Sequence, residues 1–234
     1  MPGSELVYGT AVTGLVALTA SIAHEVNQPL SGIVINASTC LAMLEGDPPN
    51  VEGARETVRR TIRDANRATD VIASLRALFA RQRDSAERLD LNEVAREAIA
   101  RSMHEMLRSG VIVRVALADG LPGVTGSRVQ LQQVIHNLLQ NAIEAMRGVE
   151  DRERHVVVRT EAAPGGGARL SVQDTGVGIE PQDLKRIFDP LYTTKAGGMG
   201  IGLFICSSIV KSHGGRLWAA PNAGAGATVS FAIP

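Results

Sequence analysis

The sequence predicts an α-helical hairpin followed by a separate α/β domain with helices packed on one face of a mixed sheet. Three observations carry this prediction. Residues 11–83 place apolar side chains at helical spacing with one break, and residues 89–234 alternate helical and strand patterns. Of the 24 glycines, 13 fall between residues 164 and 226, all in the second half. The expected organisation is a residual linker or tag over 1–10, the hairpin over 11–83, a polar linker over 84–88 and the α/β domain over 89–234.

The first helix is one apolar stripe: Leu15, Thr19, Ile22, Val26, Leu30, Ile33, Ala37, Cys40 and Leu44, in steps of three and four. Residues 45–50, Glu-Gly-Asp-Pro-Pro-Asn, end it. The second helix repeats at sevens through Val51, Val58, Ala65, Ile72 and Phe79, with a companion series at Ala54, Thr61, Ala68 and Leu75. Heptads of this kind call for a coiled-coil seam. A lone two-helix hairpin buries too little surface, so two copies are expected to pair into a four-helix bundle. In the second half, strands are expected near 111–115, 155–160, 169–173, 216–219 and 228–233. Helices are expected near 91–108, 128–147, 182–188 and 201–213.

Composition excludes several functions. The 24 basic residues balance the 24 acidic ones, whereas a nucleic-acid protein would show a basic excess. With one Trp, two Tyr and four Phe, no platform for stacking bases is expected. Cys40 and Cys206 lie far apart in apolar helical patterns, so a reducing cytosol is the default. No stretch approaches the roughly 20 apolar residues that span a bilayer. The best run, Ala11 to Ala23, lacks the basic start of a signal peptide. The balance is uneven along the chain: residues 1–49 carry four acids and no Lys or Arg, and residues 50–83 carry eight arginines against four acids. An acidic first helix is therefore expected to pack beside a basic second one.

Four constellations carry chemistry. His24 lies two positions from Ile22 and from Val26, about 200° from the stripe, and so faces solvent. Beside it, Glu25 can accept the Nδ1 proton and leave Nε2 as a lone-pair nucleophile. Pro29 removes a helical hydrogen bond just beyond and is expected to kink the helix. On the helix over 128–147, Gln130, Gln133, Asn137, Asn141 and Glu144 form one polar face rich in amides. Two carboxamide oxygens one turn apart suit Mg²⁺, which keeps waters and bridges to phosphates. Asp174 follows a strand and can accept a bond from an exocyclic amine, and Gly176 and Gly178 let the backbone approach a flat ring. Finally, Gly197-Gly198-Met199-Gly200-Ile201-Gly202 opens a helix whose N–H groups suit phosphate. Thr193, Thr194 and Lys195 stand just upstream. The glycine concentration predicts a mobile segment that closes over a ligand.

In this order the constellations resemble the transmitter region of two-component sensor histidine kinases, over about residues 11–234. Residues 21–30, Ser-Ile-Ala-His-Glu-Val-Asn-Gln-Pro-Leu, resemble the H box, and 137–142, Asn-Leu-Leu-Gln-Asn-Ala, the N box. Residues 174–178 resemble the G1 box, 187–195 the F box and 198–203 the G2 box. The pattern is most similar to the oxygen-, nitrogen- and dicarboxylate-sensing subgroup. The resemblance implies an ATP-binding α/β sandwich of the gyrase and heat-shock-chaperone type after the dimeric hairpin. It implies a kinase that uses ATP and Mg²⁺ to phosphorylate His24 and passes the phosphoryl group to an aspartate of a response regulator receiver domain. By resemblance Glu25 orients His24, Asn137 and Asn141 hold Mg²⁺, and Asp174 reads the adenine amine with Gly176 and Gly178 lining the base. Gly198, Gly200 and Gly202 cradle phosphate, with Lys195 and Thr194 as further nucleotide contacts. Gln28, one turn from His24, could orient water for a phosphatase reaction. Many relatives carry a basic residue where Glu144 stands, which leaves its role open. The implied partners are a second copy of the chain and a regulator, with no nucleic acid and no membrane segment, and the implied location is the bacterial cytosol, with a membrane tether open for the full-length protein. Ten residues before Ala11 are too few for a sensor domain. The alternative is a conformational ATPase of the gyrase or chaperone type. Such proteins resemble one another in a glutamate base one turn before the metal asparagine, where this chain has Asn137.

Overall fold

A computed structural model describes residues 26–79, 86–190, 192–195 and 200–234. The chain divides into two compact units, Met1–Arg76 and Ala77–Pro234.

In the first unit, α1 is helical over 26–45 and α2 spans Val51–Phe79. Asn50 turns the hairpin: its N–H donates to the Met43 carbonyl (2.8 Å), and its side-chain oxygen caps α2 by accepting from the Gly53 N–H (2.9 Å). Small residues let the helices meet. Ala54 and Ala68 are 3% and 6% exposed, and Thr57 and Pro29 are buried with them. Asn36 Nδ2 donates across the hairpin to Asp64 Oδ2 at 3.0 Å. The two heptad series therefore divide. Ala54 and Ala68 face inward, whereas Val51, Val58 and Ile72 remain exposed, as do Ile62 outside both series and Leu30, Val34, Ile35, Leu41 and Leu44 of α1.

The expected opposition of an acidic and a basic helix rests in part on Glu5 and Glu25, which lie outside the described residues. Among the described residues, the ion pairs of this unit run along α2, joining Glu52 and Glu56 to Arg55, Arg59, Arg60 and Arg63. Spacings of three, four and seven bring these side chains together on one helix, so Glu52 and Glu56 are paired within α2, which keeps an excess of arginine.

In the second unit, β1 (Glu87–Leu89) pairs antiparallel with β3 (Val124–Gly126) in a small two-stranded sheet. Strands β2 (Val111–Ala116), β4 (Arg154–Ala162), β5 (Ala168–Asp174), β6 (Arg216–Pro221) and β7 (Ala227–Ile233) form the main sheet in the order β2-β4-β5-β7-β6. Only β2 and β4 run parallel. Helices α3 (Leu91–Arg108), α4 (Arg128–Ala145) and α5 (Gly202–Ser212) accompany it, with α4 touching both others. This is the expected layered α/β arrangement. Alternation sets the faces of the strands: Val156, Val158 and Thr160 of β4 are buried, whereas Arg159 between them is exposed. The core joins these residues with Leu170, Val172, Phe231 and Ile233 to Leu131, Ile135, Leu138, Leu139 and Ile143 of α4. Burying one such Leu or Ile stabilises the fold by roughly 1.5–3 kcal/mol. Trp218 lies on edge strand β6 with the Arg216 and Arg169 guanidiniums 5.4 and 5.9 Å from its ring centroid.

Two elements differ from expectation. The helix expected over 182–188 is only a 3₁₀ turn at Arg186–Phe188. Pro181 precedes it and Asp189-Pro190 stops it, leaving too few residues to offset the cost of nucleating an α-helix. The pair β1–β3 was not anticipated, because three-residue strands are too short to show alternation.

Candidate nucleotide site

The site is built around α4. Ser127 caps it through the Gln130 N–H (3.4 Å), and His213 Nε2 accepts from the Ser127 N–H at 3.0 Å. A polar row four apart on α4 ties it to α3. Arg128 pairs with Glu97 at 2.8 Å, Gln132 donates to Glu97, His136 Nδ1 meets Ser102 Oγ at 3.0 Å, and Gln140 donates to Glu105. Gln140 therefore serves the helix pair, and the adjacent row, Gln133, Asn137, Asn141 and Glu144, is left for the site.

Asn137 Oδ1 accepts from Gln133 Nε2 at 2.9 Å, and its buried Nδ2 meets no nitrogen or oxygen acceptor among the described residues. The Cys206 thiol lies beside this amide and donates weakly to the Val134 carbonyl (3.8 Å). Burial pushes the thiol up to about 12, only partly opposed by the Asn137 amide and the Cys206 backbone N–H. Cys206 is thus an inert packing residue. One turn on from Asn137, Asn141 Oδ1 accepts from Lys195 Nζ at 3.4 Å, and the same ammonium pairs with Glu144 Oε2 at 2.7 Å.

Asp174 ends β5 and is buried. Its Oδ1 accepts from the Gly176 N–H (2.8 Å) and the Ala227 N–H (3.4 Å), and no bond to its Oδ2 is seen among the described residues. Burial raises this carboxyl above the ordinary aspartate range, and the two backbone bonds and the charge of Lys195 oppose the rise. The loop after Asp174 folds onto the end of α4: the Val177 N–H donates to the Ala145 carbonyl at 3.1 Å. A Cβ at residue 176 would stand 2.6 Å from that carbonyl oxygen. Glycine at 176 is thus required by the approach of α4, while Gly178 has φ +82°, a left-handed conformation.

Four residues that sequence reasoning missed hold this loop. Asn222 Nδ2 donates to the Asp174 carbonyl (2.8 Å), Ala227 donates to its side chain, and Gly226 (φ +87°) lies against the Asp174 backbone where no Cβ would fit. Arg152 donates to the carbonyls of Thr175 (3.0 Å) and Gly176 (3.2 Å). The only advance signal was Asn222-Ala-Gly-Ala-Gly226, a turn between two strands.

Tyr192 OH donates to Asp183 Oδ1 (2.5 Å), the Arg186 guanidinium lies 4.3 Å from the Tyr192 ring centroid, and Thr193 Oγ1 accepts from the Lys195 N–H (3.1 Å). Thr194 is exposed. Gly200 has φ +64°, and Gly202 is the first residue of α5, whose N-terminus has no side-chain cap. Among the described residues no side chain takes up its first N–H groups, which suit an anion. His24, Glu25 and Gly198 lie outside the described residues, and Gln28 is exposed on α1 of the first unit.

The donor set fits Mg²⁺. Among the described residues no group of His, Cys, Asp and Glu could cage a metal ion, but the Asn141 oxygen already holds a cation, the Lys195 ammonium. Neutral amide oxygens suit an ion that takes its remaining ligands from water and phosphate.

Residues 126–234 match the family of histidine kinase-, DNA gyrase B-, and HSP90-like ATPases, and residues 15–84 match the His Kinase A (phospho-acceptor) domain. The catalytic domain of the histidine kinase ThkA is 30% identical with a TM-score of 0.57, and the match covers 64% of this chain and 95% of that domain. The chain belongs to the histidine kinases. Among curated members of that family, the sensor histidine kinase TmoS of Ectopseudomonas mendocina is 35% identical over 98% of this chain and 24% of its own length. The sensor protein FixL of Bradyrhizobium diazoefficiens is 35% identical over 99% of this chain and 46% of its own. This histidine kinase chain thus spans 24% to 46% of the length of these relatives. A structure of ThkA in complex with the response regulator protein TrrA shares the fold, with a TM-score of 0.68 at 23% identity, over 96% of this chain and 63% of that one. No described helix is long and apolar enough to cross a membrane.

Proposed function

We propose that this chain is a protein histidine kinase that binds ATP with Mg²⁺ in its second unit, transfers the γ-phosphoryl group to His24, and passes it to an aspartate of a response regulator. The observation that carries the nucleotide reading is Asp174. Two backbone N–H groups hold one of its oxygens, and the other is left to accept from an exocyclic amine. Asn137 and Asn141 orient the phosphate end of the substrate and would hold Mg²⁺. That ion, when bound, neutralises phosphate charge. Gly198, Gly200 and the uncapped start of α5 at Gly202 would offer N–H donors to the phosphates, with Lys195 and Thr194 as further contacts.

In autophosphorylation Glu25 accepts a hydrogen bond from Nδ1–H of His24, and the Nε2 lone pair attacks the γ-phosphorus. The bond to the β,γ-bridging oxygen breaks and ADP leaves. The regulator's carboxylate then takes the phosphoryl group from Nε2, which restores neutral His24. Gln28 would orient water for the reverse, phosphatase reaction. Unchanged regulator dephosphorylation by Gln28→Ala would remove that role. A conformational ATPase gains no support, because the carboxamide of Asn137 cannot act as a base.

Two copies of the hairpin are proposed to pair through the apolar faces that α1 and α2 leave exposed, and the cytosol is the proposed site of action. The deciding experiment incubates the chain with γ-labelled ATP and Mg²⁺. An acid-labile, base-stable label is expected that His24→Gln abolishes. ATP turnover without such a label would sink the kinase reading.

A further inference from the structure

Glu144 is the charged member of the α4 polar face, and the kinase reading assigns it no task. Asn141 and Glu144 stand three residues apart on one helix face, and their oxygens form a two-point seat for a cation. Lys195 fills it, at 2.7 Å from Glu144 Oε2 and 3.4 Å from Asn141 Oδ1. The lysine comes from an anchored segment, since Tyr192 is fixed by Asp183 and Arg186 and the Lys195 N–H by Thr193. Its four-carbon stem can carry the ammonium some distance while the backbone stays in place.

We propose that Glu144 is a positioning residue that keeps Lys195 on the Asn141 oxygen until a metal-bound triphosphate displaces it, making nucleotide binding depend on the divalent cation. This rests on the proposed function above. A dication and an ammonium on one amide oxygen repel each other, so the ammonium leaves Asn141 as the metal complex arrives. The phosphate oxygens then replace Glu144 as its partner. A metal-free triphosphate can also draw Lys195 away, but it leaves the Glu144 carboxylate unpaired beside four negative charges. With the metal present, two positive charges offset that carboxylate. Glu144 therefore discriminates against the metal-free nucleotide, as a repulsive group does in a specific site.

The test is equilibrium binding of a non-hydrolysable ATP analogue to the whole chain, in excess Mg²⁺ and in EDTA. Glu144→Gln is expected to raise metal-free affinity about tenfold, with affinity in Mg²⁺ changed much less, a coupling within the usual range between linked sites. The gain should be smaller in a Lys195→Gln background, where no ion pair remains to be broken. A gain of equal size there would reduce Glu144 to simple repulsion and overturn its hold on Lys195. Unchanged affinities in Glu144→Gln, with the wild type binding normally, would overturn this inference alone. If the wild type binds the analogue in neither condition, the proposed function falls and this inference with it. Both side chains are partly exposed, and circular dichroism of each variant checks that the fold is intact.

Discussion

In the proposed function, Asp174 trades stability for recognition. Its carboxyl is buried and raised above the ordinary range, so the native state keeps its proton to higher pH than the unfolded chain does. Through the window from the ordinary aspartate value up to the raised one, the native state binds more protons, and stability falls as pH rises. Asp174→Asn retains an oxygen for the Gly176 and Ala227 N–H groups and carries no charge to desolvate. Its melting temperature at pH 7 should equal or exceed that of the wild type, and the fall across the acidic window should disappear. Its amide nitrogen would face a donor with a donor. Loss of a hydrogen bond to a charged group costs about 1.5–3 kcal/mol, so nucleotide affinity should drop by roughly 10- to 100-fold. Isothermal titration alongside thermal melts checks both halves, and a variant both destabilised and fully competent to bind would contradict this account. At this scale the sequence was informative where chemistry is carried by the residue itself. Asp174, Asn141 and Lys195 could be picked out by type and spacing. Asn222 and Arg152 could not, because each acts on backbone carbonyls far away in the chain.

At the level of elements, α4 is legible in part. Its 3.6-residue period separates an apolar face from a polar one, and the polar face has two functions divided by a single residue of rotation. The row at 128, 132, 136 and 140 binds α3, and the row at 133, 137, 141 and 144 turns to the site. Which row does which depends on where α3 lies, and no local pattern encodes that. The 3₁₀ turn at Arg186–Phe188 and the strands β1 and β3 escaped for the same reason, since tertiary contacts rather than their own periodicity define such short segments. His213 is another long-range tie. Its Nε2 accepts from the Ser127 N–H at the start of α4, while Nδ1–H donates to the Ile209 carbonyl at 2.7 Å. His213→Ala leaves the buried Ser127 backbone N–H without this acceptor and should cost about 1–3 kcal/mol. Denaturant unfolding should show a lower midpoint at constant slope, and an unchanged midpoint would mean that water replaces the imidazole.

For the whole molecule, the decisive feature is the hairpin's unsatisfied apolar surface. Val34 and Ile35 are each 64% exposed and Ile62 is 55% exposed, on helices whose buried residues, among those described, are Pro29, Ala54, Thr57 and Ala68. So many exposed large apolar side chains on one hairpin mark an interaction face. Ile62→Glu should weaken self-association by about 100-fold or more, since each copy loses burial worth about 1.5–3 kcal/mol. Sedimentation equilibrium measures this, and an unaltered dimer constant would move the interface elsewhere on the hairpin. The heptads were readable from the sequence, but their division was not: only packing reveals that the 54/68 series closes the hairpin and the 51/58/72 series stays open.

Trp218 gives this division an optical consequence. It is the chain's one tryptophan and lies in the second unit, flanked by Arg169 and Arg216, while the hairpin has none. Indole emission therefore reports the melting of the sheet alone, and far-ultraviolet ellipticity reports both units. On dilution the fluorescence midpoint should hold steady, while the helical signal shifts to lower temperature as mass action draws hairpin pairs apart.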